Sequence, residues 1–69
     1  MDWDQIAKSW QRLKGRARQQ WGRLTDEELD AIAGSRVKLL VKIQEVYDIT
    51  DEEAEEQIVS WERWVRDID

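Results

Sequence analysis

The sequence predicts an all-α fold, and three observations carry this expectation. The 69 residues include no proline and three glycines, whereas charged residues, many of them good helix formers, make up 39%. Two similar segments, LTDEELDA at 24–31 and ITDEEAEE at 49–56, each begin with the pattern of a helical capping box. Apolar residues also recur at spacings of three and four. We therefore expect four main helices in a single domain over residues 1–69.

The first predicted helix spans about residues 3–20, and Asp2 with Gln5 supplies a start signal for it. Gly15 lies in its middle, where glycine costs up to about 1 kcal/mol relative to alanine, so we expect a kink or break there. Gly22 is expected just past the helix end, with a positive φ. The apolar stripe of this helix consists of Trp3, Ile6, Ala7, Trp10, Leu13, Ala17, Trp21 and Leu24.

The second and third predicted helices meet at a glycine. The second spans about 26–33, after the Thr25 cap, and Gly34 ends it. The third spans about 35–47 and carries apolar residues on a wide face, which predicts the most enclosed element of the fold. The expected buried residues are Leu29, Ile32 and Ala33 on the second helix and Val37, Leu39, Leu40, Val41, Ile43, Val46 and Tyr47 on the third.

The fourth predicted helix spans about 51–66, between the Thr50 cap and the end of the chain. Asp48 is expected to close the preceding helix. The run of acids at 51–56 lies in the first turns, where the helix dipole favours carboxylates, and it lacks the alternating pattern of a calcium loop. One apolar stripe consists of Ala54, Ile58, Trp61, Val65 and Ile68, with Val59 and Trp64 beside it.

The composition argues against catalysis. The chain has no histidine and no cysteine, so it lacks the usual general base near neutral pH, the commonest metal ligand and any thiolate. Ser9, Ser35 and Ser60 have no histidine to activate them. We expect a protein that is not an enzyme, with no catalytic, cofactor-binding or metal-binding residues.

The charge distribution is asymmetric along the chain. Residues 1–24 carry six Lys or Arg against two Asp, or +4, and residues 25–69 carry five against fourteen acids, or −9, within a net charge of −5. No apolar run approaches the roughly 20 residues of a membrane span, and the N-terminus lacks the basic segment of a signal peptide. We expect a soluble, unprocessed, cytoplasmic monomer with no membrane association.

Five tryptophans are many for a chain of this length. Trp10, Trp21 and Trp61 fall on the predicted inner faces, so we expect them in the core. Trp3 and Trp64 are open to two interpretations: they line the core rim, or they form an exposed aromatic patch for a partner.

A basic flank on the first helix is also open to two interpretations. Lys8, Arg12, Arg16 and Arg18 lie near Trp10 and Trp21, and basic residues interleaved with aromatic ones can bind phosphates and stack on bases. A helix that turns its apolar stripe inward must also carry charge outside, and a net negative chain repels nucleic acid at long range. A solvated face is the leading interpretation, and nucleic-acid binding is the alternative.

A specific set of residues lies along nearly the whole chain: Trp10, Lys14-Gly15, Ala17, Trp21-Gly22-x-Leu24-Thr25-Asp26, Gly34, Arg36, Leu39, Lys42-Ile43-Gln44, Tyr47, Ala54, Val59 and Trp61. In these residues the sequence resembles the CsbD-like family of small bacterial stress-response proteins. The resemblance implies a compact bundle of four or five short helices, arranged as two crossed helical hairpins like a SAM domain. It also implies induction under general stress, no enzymatic activity and no assigned binding residues.

Val41 and Asp48 stand where many members of that family have glycine, so we expect no need for unusual backbone freedom at either position. The leading functional hypothesis is a non-enzymatic general stress-response protein that acts through protein contacts, with an unknown partner. The alternative is a weak nucleic-acid-binding protein that uses the basic first helix.

Overall fold

The computed structural model describes residues 3–68, excluding the side chain of Ile68, and shows five helices there with no strand. The all-α prediction is therefore confirmed, while the expected cap at Asp2 lies outside the described residues. In chain order the helices are α1 (Trp3–Lys8), α2 (Trp10–Gln20), α3 (Asp26–Ile32), α4 (Arg36–Tyr47) and α5 (Asp51–Ile68).

The helices enclose one core in a body of 29 × 23 × 19 Å. Helix α2 packs on α1, α3 and α5, and α4 packs on α3 and α5. Each of the five described helices contributes buried side chains to this core, and the loop after α2 contributes Trp21 and Leu24. The buried side chains are Ile6, Trp10, Leu13, Ala17, Trp21, Leu24, Leu29, Ile32, Leu39, Ile43, Ala54, Ile58, Trp61 and Val65.

The first predicted helix is broken, but the break is at Ser9 and the expectation at Gly15 is wrong. The backbone of Ser9 has φ −103° and ψ 17°, and its N–H donates to the carbonyls of Gln5 and Ile6 at 3.1 and 3.2 Å. The break allows α1 to turn towards α5, where the Trp3 indole donates to Glu62. Gly15 stays helical because a single glycine lowers helix stability without removing a hydrogen bond.

Both predicted capping boxes are confirmed. The Glu28 N–H donates to Thr25 Oγ1 at 3.1 Å, and the Thr25 N–H donates to Glu28 Oε1 at 2.9 Å. At the second box, the Glu53 N–H donates to Thr50 Oγ1 at 3.2 Å, and the Thr50 N–H donates back to Glu53 at 3.4 Å. Each box satisfies backbone donors that the first helical turn leaves unpaired.

Replacing Thr25 or Thr50 by Ala is expected to lower the free energy of unfolding by roughly 0.5–2 kcal/mol, because the cap acceptor is lost. Thr25→Ser, which keeps the hydroxyl, is the matched control and should lose much less. The measurement is the urea unfolding midpoint at unchanged slope. Equal midpoints for wild type and both Ala variants would show that the caps contribute nothing.

The helix ends differ in part from the prediction. Gly34 has φ +79° as expected of a helix-ending glycine, but Gly22 does not have a positive φ. Helix α2 instead ends at Trp21, whose φ of −121° and ψ of 73° turn its ring into the core. Helix α3 ends one residue early, at Ile32, because Ala33 is left-handed with φ 51°. Ala33 is therefore exposed, and its predicted burial is wrong.

Asp48 corrects a second expectation. It closes α4 as predicted, but with φ 54°, a conformation that favours glycine. Asp is among the few residues that adopt it at moderate cost, so the backbone requirement is present here and is met without glycine. At the far end, α5 extends to Ile68 and thus beyond the predicted boundary at 66.

The prediction that α4 is the most enclosed element is wrong. Only Leu39 and Ile43 are fully buried on it, whereas Val37 is 69% and Val41 48% exposed. Helix α4 packs on α3 and α5, and these two helices leave the side of α4 that carries Val37 and Val41 uncovered. On the first helix, Ala7 is likewise exposed despite its place in the apolar stripe.

Candidate interaction surfaces

The tryptophan core is confirmed. Trp10, Trp21 and Trp61 are 4%, 1% and 1% exposed. The Trp10 indole donates to the Leu29 carbonyl at 2.8 Å, and that of Trp21 donates to Gln57 Oε1 at 2.9 Å. Trp61 lies at the centre, with its ring centroid 5.9, 6.4 and 5.6 Å from those of Trp3, Trp10 and Trp21. These three rings are structural and not available to a partner.

The other two tryptophans lie in different surroundings. Trp3 is half-buried against Trp61 and donates to Glu62, so it belongs to the core rim. Trp64 is 39% exposed, and the Arg16 guanidinium lies 5.9 Å from its ring centroid. The structure thus gives Trp3 and Trp64 different neighbours, and Trp64 offers the more accessible ring.

The basic flank of α1 and α2 is partly engaged with the acidic part of the chain. Arg18 pairs with Asp26 at 2.8 Å, and Lys14 pairs with Asp30 at 2.7 Å, which joins α2 to α3. Arg16 lies over Trp64, and the side chains of Lys8 and Arg12 are exposed on the same flank. These contacts agree with the interpretation that the cations of this flank form ion pairs with acidic residues of a neighbouring helix.

Changing Arg12 and Arg16 together to Gln is expected to alter the free energy of unfolding by about 1 kcal/mol or less, because exposed ion pairs and cation–π contacts contribute little. Denaturant unfolding measures this. The same pair of variants tests the alternative function. Wild-type binding to single-stranded RNA at physiological salt, falling steeply with added salt and lost in the double variant, would contradict a purely solvating role.

A groove between α3 and α4 is the surface that the sequence analysis missed. It has a volume of about 290 Å³, and its lining combines exposed apolar residues with both signs of charge. Lys42 lies in it 3.6 Å from both Glu28 and Glu45. We call this the α3–α4 surface; its residues are Glu28, Ala31, Ile32, Val37, Lys38, Val41, Lys42 and Glu45.

The wide apolar face of α4 is the sequence signal for this surface, but the same pattern also predicts deep burial. Val37 and Val41 lie two residues from the buried Leu39 and Ile43, a step that places them on the opposite side of a helix. A helix that is apolar on both sides fits a central position or a binding surface equally well.

On its other flank, α4 is fixed to α5 by an ion cluster. The Arg36 guanidinium binds both carboxylate oxygens of Glu55, at 3.0 and 2.5 Å, and its Nε lies 3.4 Å from Glu62. Hydrogen bonding to Arg36 lowers the pKa of Glu55, and the same bond raises the pKa of Arg36. The backbone hydrogen bond from Thr25 lowers the pKa of Glu28.

These shifts predict how stability depends on acidity. A carboxyl whose pKa is lowered by folding stabilises the fold fully above its unfolded pKa, here near 4.5, and loses that contribution as pH falls through the lowered value. Thermal unfolding should therefore shift to lower temperature below about pH 4.5. Arg36→Gln should flatten this dependence, whereas Arg63→Gln, at an exposed position on α5, should leave its slope unchanged. Identical slopes for the Arg36 variant and wild type would exclude a role for the cluster.

Two further observations concern residues 3–68. No group of three or more acidic side chains converges there as a metal-binding site. No helix in the same range is long and apolar enough to cross a bilayer.

The fold and these surfaces define a class of protein. It is a small all-helical protein with a tryptophan core and a surface that combines exposed valines with both positive and negative charges. The chain belongs to the UPF0337 family of bacterial proteins. It is 44% identical over 62 residues to the UPF0337 protein of Pectobacterium atrosepticum, and the match covers 90% of each chain. It is 40% identical over 62 residues to UPF0337 protein YjbJ of Escherichia coli K12, again over 90% of each.

A relative from Nitrosomonas europaea is 48% identical over 58 residues, which make up 84% of this chain and 62% of that protein. The names of these relatives state no activity and no ligand. No family model matches the chain. No solved structure matches it either. The CsbD-like resemblance and the SAM-domain-like arrangement stay predictions.

Proposed function

We propose that this protein is a non-enzymatic, cytoplasmic stress-response protein that acts through protein contacts at the α3–α4 surface and is monomeric when dilute. The observation that carries the proposal is the exposure of Val37 and Val41, at 69% and 48%, beside a groove. Burying apolar surface contributes about 25 cal/mol per Å², so adjacent exposed valines gain free energy when a partner covers them.

The pattern of exposure supports this position on the molecule. The other large apolar side chains that are exposed among the described residues, Val59 and Trp64, lie on α5 at 37% and 39%. Val37 and Val41 are more exposed and one helical turn apart, and Ala31 and Ile32 of α3 continue their apolar surface. The patch has a polar rim, here of lysines and glutamates, and a polar rim around an apolar centre is the usual arrangement of a protein interface.

The composition supports the absence of catalysis. Without histidine and cysteine, a nucleophile would have to be activated by lysine or a carboxylate. Of the candidate serines, Ser35 has a structural role, because its Oγ caps α4 by accepting from the Lys38 N–H at 3.4 Å. The stress-response role rests on the CsbD-like resemblance.

Site-specific photo-crosslinking in the bacterium tests the proposal. A photoreactive amino acid replaces Val41 in one variant and Val59 in a matched control, since both are exposed valines on helices. We expect protein adducts from position 41, increasing under general stress, and few from position 59. Equal adduct patterns from the two positions would contradict the proposal.

The alternative, nucleic-acid binding, is favoured by one contact, that of Arg16 with the exposed Trp64 ring. An aromatic ring beside a guanidinium can stack on a base and hold a phosphate. A crosslinker at position 64 distinguishes the two functions, because nuclease treatment removes nucleic-acid adducts and leaves protein adducts intact.

A further inference from the structure

Helix α4 has two opposite apolar sides, and only one of them is covered. Leu39 and Ile43 face the core, fully buried. Each residue of a helix advances by about 100°, so Val37 and Val41 lie roughly opposite that pair. The outer side therefore offers an apolar stripe of two valines in the N-terminal half of the helix, rimmed by the charges of the α3–α4 surface.

The charges of α4 are arranged against its own dipole. Helices α3 and α5 begin with three acids each, as the positive end of a helix favours. Helix α4 has no acid in its first turn, which contains Arg36 and Lys38, and no base in its last turn, which contains Glu45. Arg36 is neutralised by Glu55 and Glu62. Lys38 lies at the positive end of α4 and Glu45, which also pairs with Lys42 at 3.6 Å, at the negative end, so each lies at the end that its own helix dipole disfavours.

We propose that the α3–α4 surface binds a second copy of this chain, with the two α4 helices antiparallel across a two-fold axis near Val41. This inference rests on the proposed function, in which the same surface makes protein contacts. An antiparallel neighbour has its negative helix end beside Lys38 and its positive end beside Glu45. The pairing therefore corrects the charge pattern that the isolated helix leaves unfavourable.

The spacing of the two charges fits this arrangement. Lys38 and Glu45 are seven residues apart, so they lie on the same flank of α4, and both line the groove. A two-fold axis perpendicular to the helices reverses their direction and keeps each flank on its own side. Lys38 of one copy then lies opposite Glu45 of the other, twice per dimer, while Val41 meets its counterpart near the axis.

The small apolar area and the net charge limit the affinity of one copy of the chain for the other. A stable interface covers about 800 Å² on each partner, and a stripe of two valines with its rim provides a smaller area. Two copies with a net charge of −5 each also repel at long range. The dimer therefore forms at high micromolar concentrations or above, and dilute protein is monomeric.

Sedimentation equilibrium from about 10 µM to about 2 mM tests the pairing, with charge-swap variants as the discriminating reagents. Lys38→Glu places two like charges opposite each other twice per dimer, as does Glu45→Lys, so each should weaken association about tenfold or more. The double variant restores both opposite-charge pairs and should recover wild-type association. An equimolar mixture of the two single variants should recover it as well.

Lys38→Glu also separates association from folding. It gives α4 a charge that its own dipole favours, so its dilute monomer should melt at the same or a higher temperature while it dimerises less. Glu45→Lys gains the same dipole contribution but loses the ion pair with Lys42, so the melting temperature of Lys38→Glu is the informative one. Val41→Glu should abolish association and keep the fold, and Val59→Glu on α5 is the matched control that should leave association unchanged.

Wild type that stays monomeric at about 2 mM overturns the inference, as does a double variant that fails to regain association. If such a monomer still gives adducts with a different protein from position 41 in the bacterium, the proposed function stands and only its partner is wrong. If position 41 gives no adducts, the proposed function fails separately.

Discussion

Trp61→Ala is expected to lower the free energy of unfolding by about 3–5 kcal/mol, because the change removes a buried ring and leaves a cavity. Trp61 is the ring that contacts Trp3, Trp10 and Trp21, so three neighbours lose a packing partner at once. A domain of this size has only several kcal/mol of stability in total. The variant should therefore be largely unfolded at room temperature, as measured by circular dichroism and urea titration.

Trp64→Ala is the matched control, since it makes the same chemical change three residues away on α5, where the ring is 39% exposed. It should cost about 1 kcal/mol or less, mainly through its contact with Arg16. A Trp61 variant as stable as the Trp64 variant would show that the tryptophan core does not hold the helices together.

Trp61→Phe refines the test. The Trp61 indole N–H is buried without a hydrogen-bond partner among the described residues, whereas that of Trp21 donates to Gln57. Trp61→Phe removes an indole N–H that has no hydrogen-bond acceptor in that part of the chain, whereas Trp21→Phe removes an indole N–H that is hydrogen-bonded. Trp61→Phe should therefore destabilise less than Trp21→Phe.

Gly34→Ala is expected to have the second largest effect, a loss of about 2–4 kcal/mol from two causes. The first is the φ of +79°, which disfavours any side chain. The second is space: a Cβ at Gly34 would lie 2.5 Å from the Cα of Ala7, an atom of the α1 backbone that cannot move without displacing the helix. Thermal unfolding of the variant measures the loss.

Gly15→Ala provides the opposite control. A Cβ at Gly15 meets nothing within 4 Å, and the residue lies inside α2. Alanine there should stabilise the protein by about 0.5–1 kcal/mol. If both glycine variants shift stability in the same direction, the close approach of α1 to the α3–α4 turn is not as described.

The starts of α3 and α5 could be predicted because they depend on local chemistry. Thr25 and Thr50 each need only a glutamate three residues later and an apolar run to follow, and both boxes form. The core tryptophans could be predicted for a similar reason, since their spacing follows the helical period. These features need no knowledge of which helix packs on which.

The remaining features depend on tertiary contacts. The break at Ser9 arises where α1 turns to α5, and the close contact of Gly34 with Ala7 joins residues far apart in the sequence. Asp48 shows that a left-handed position need not be marked by glycine. Val37 and Val41 are exposed because α3 and α5 leave their side of α4 uncovered. The apolar pattern of α4 alone does not indicate how many helices pack against it.

The central claim is that the outer side of α4, and not the basic flank of α1 and α2, is where this chain meets its partner. Amide NMR of the isotope-labelled protein in lysate from stressed bacteria tests it residue by residue. We expect selective broadening of the signals of Val37, Val41 and Glu45 that survives nuclease treatment. Broadening confined to Lys8, Arg12 and Arg16, and abolished by nuclease, would contradict the claim and establish nucleic-acid binding in its place.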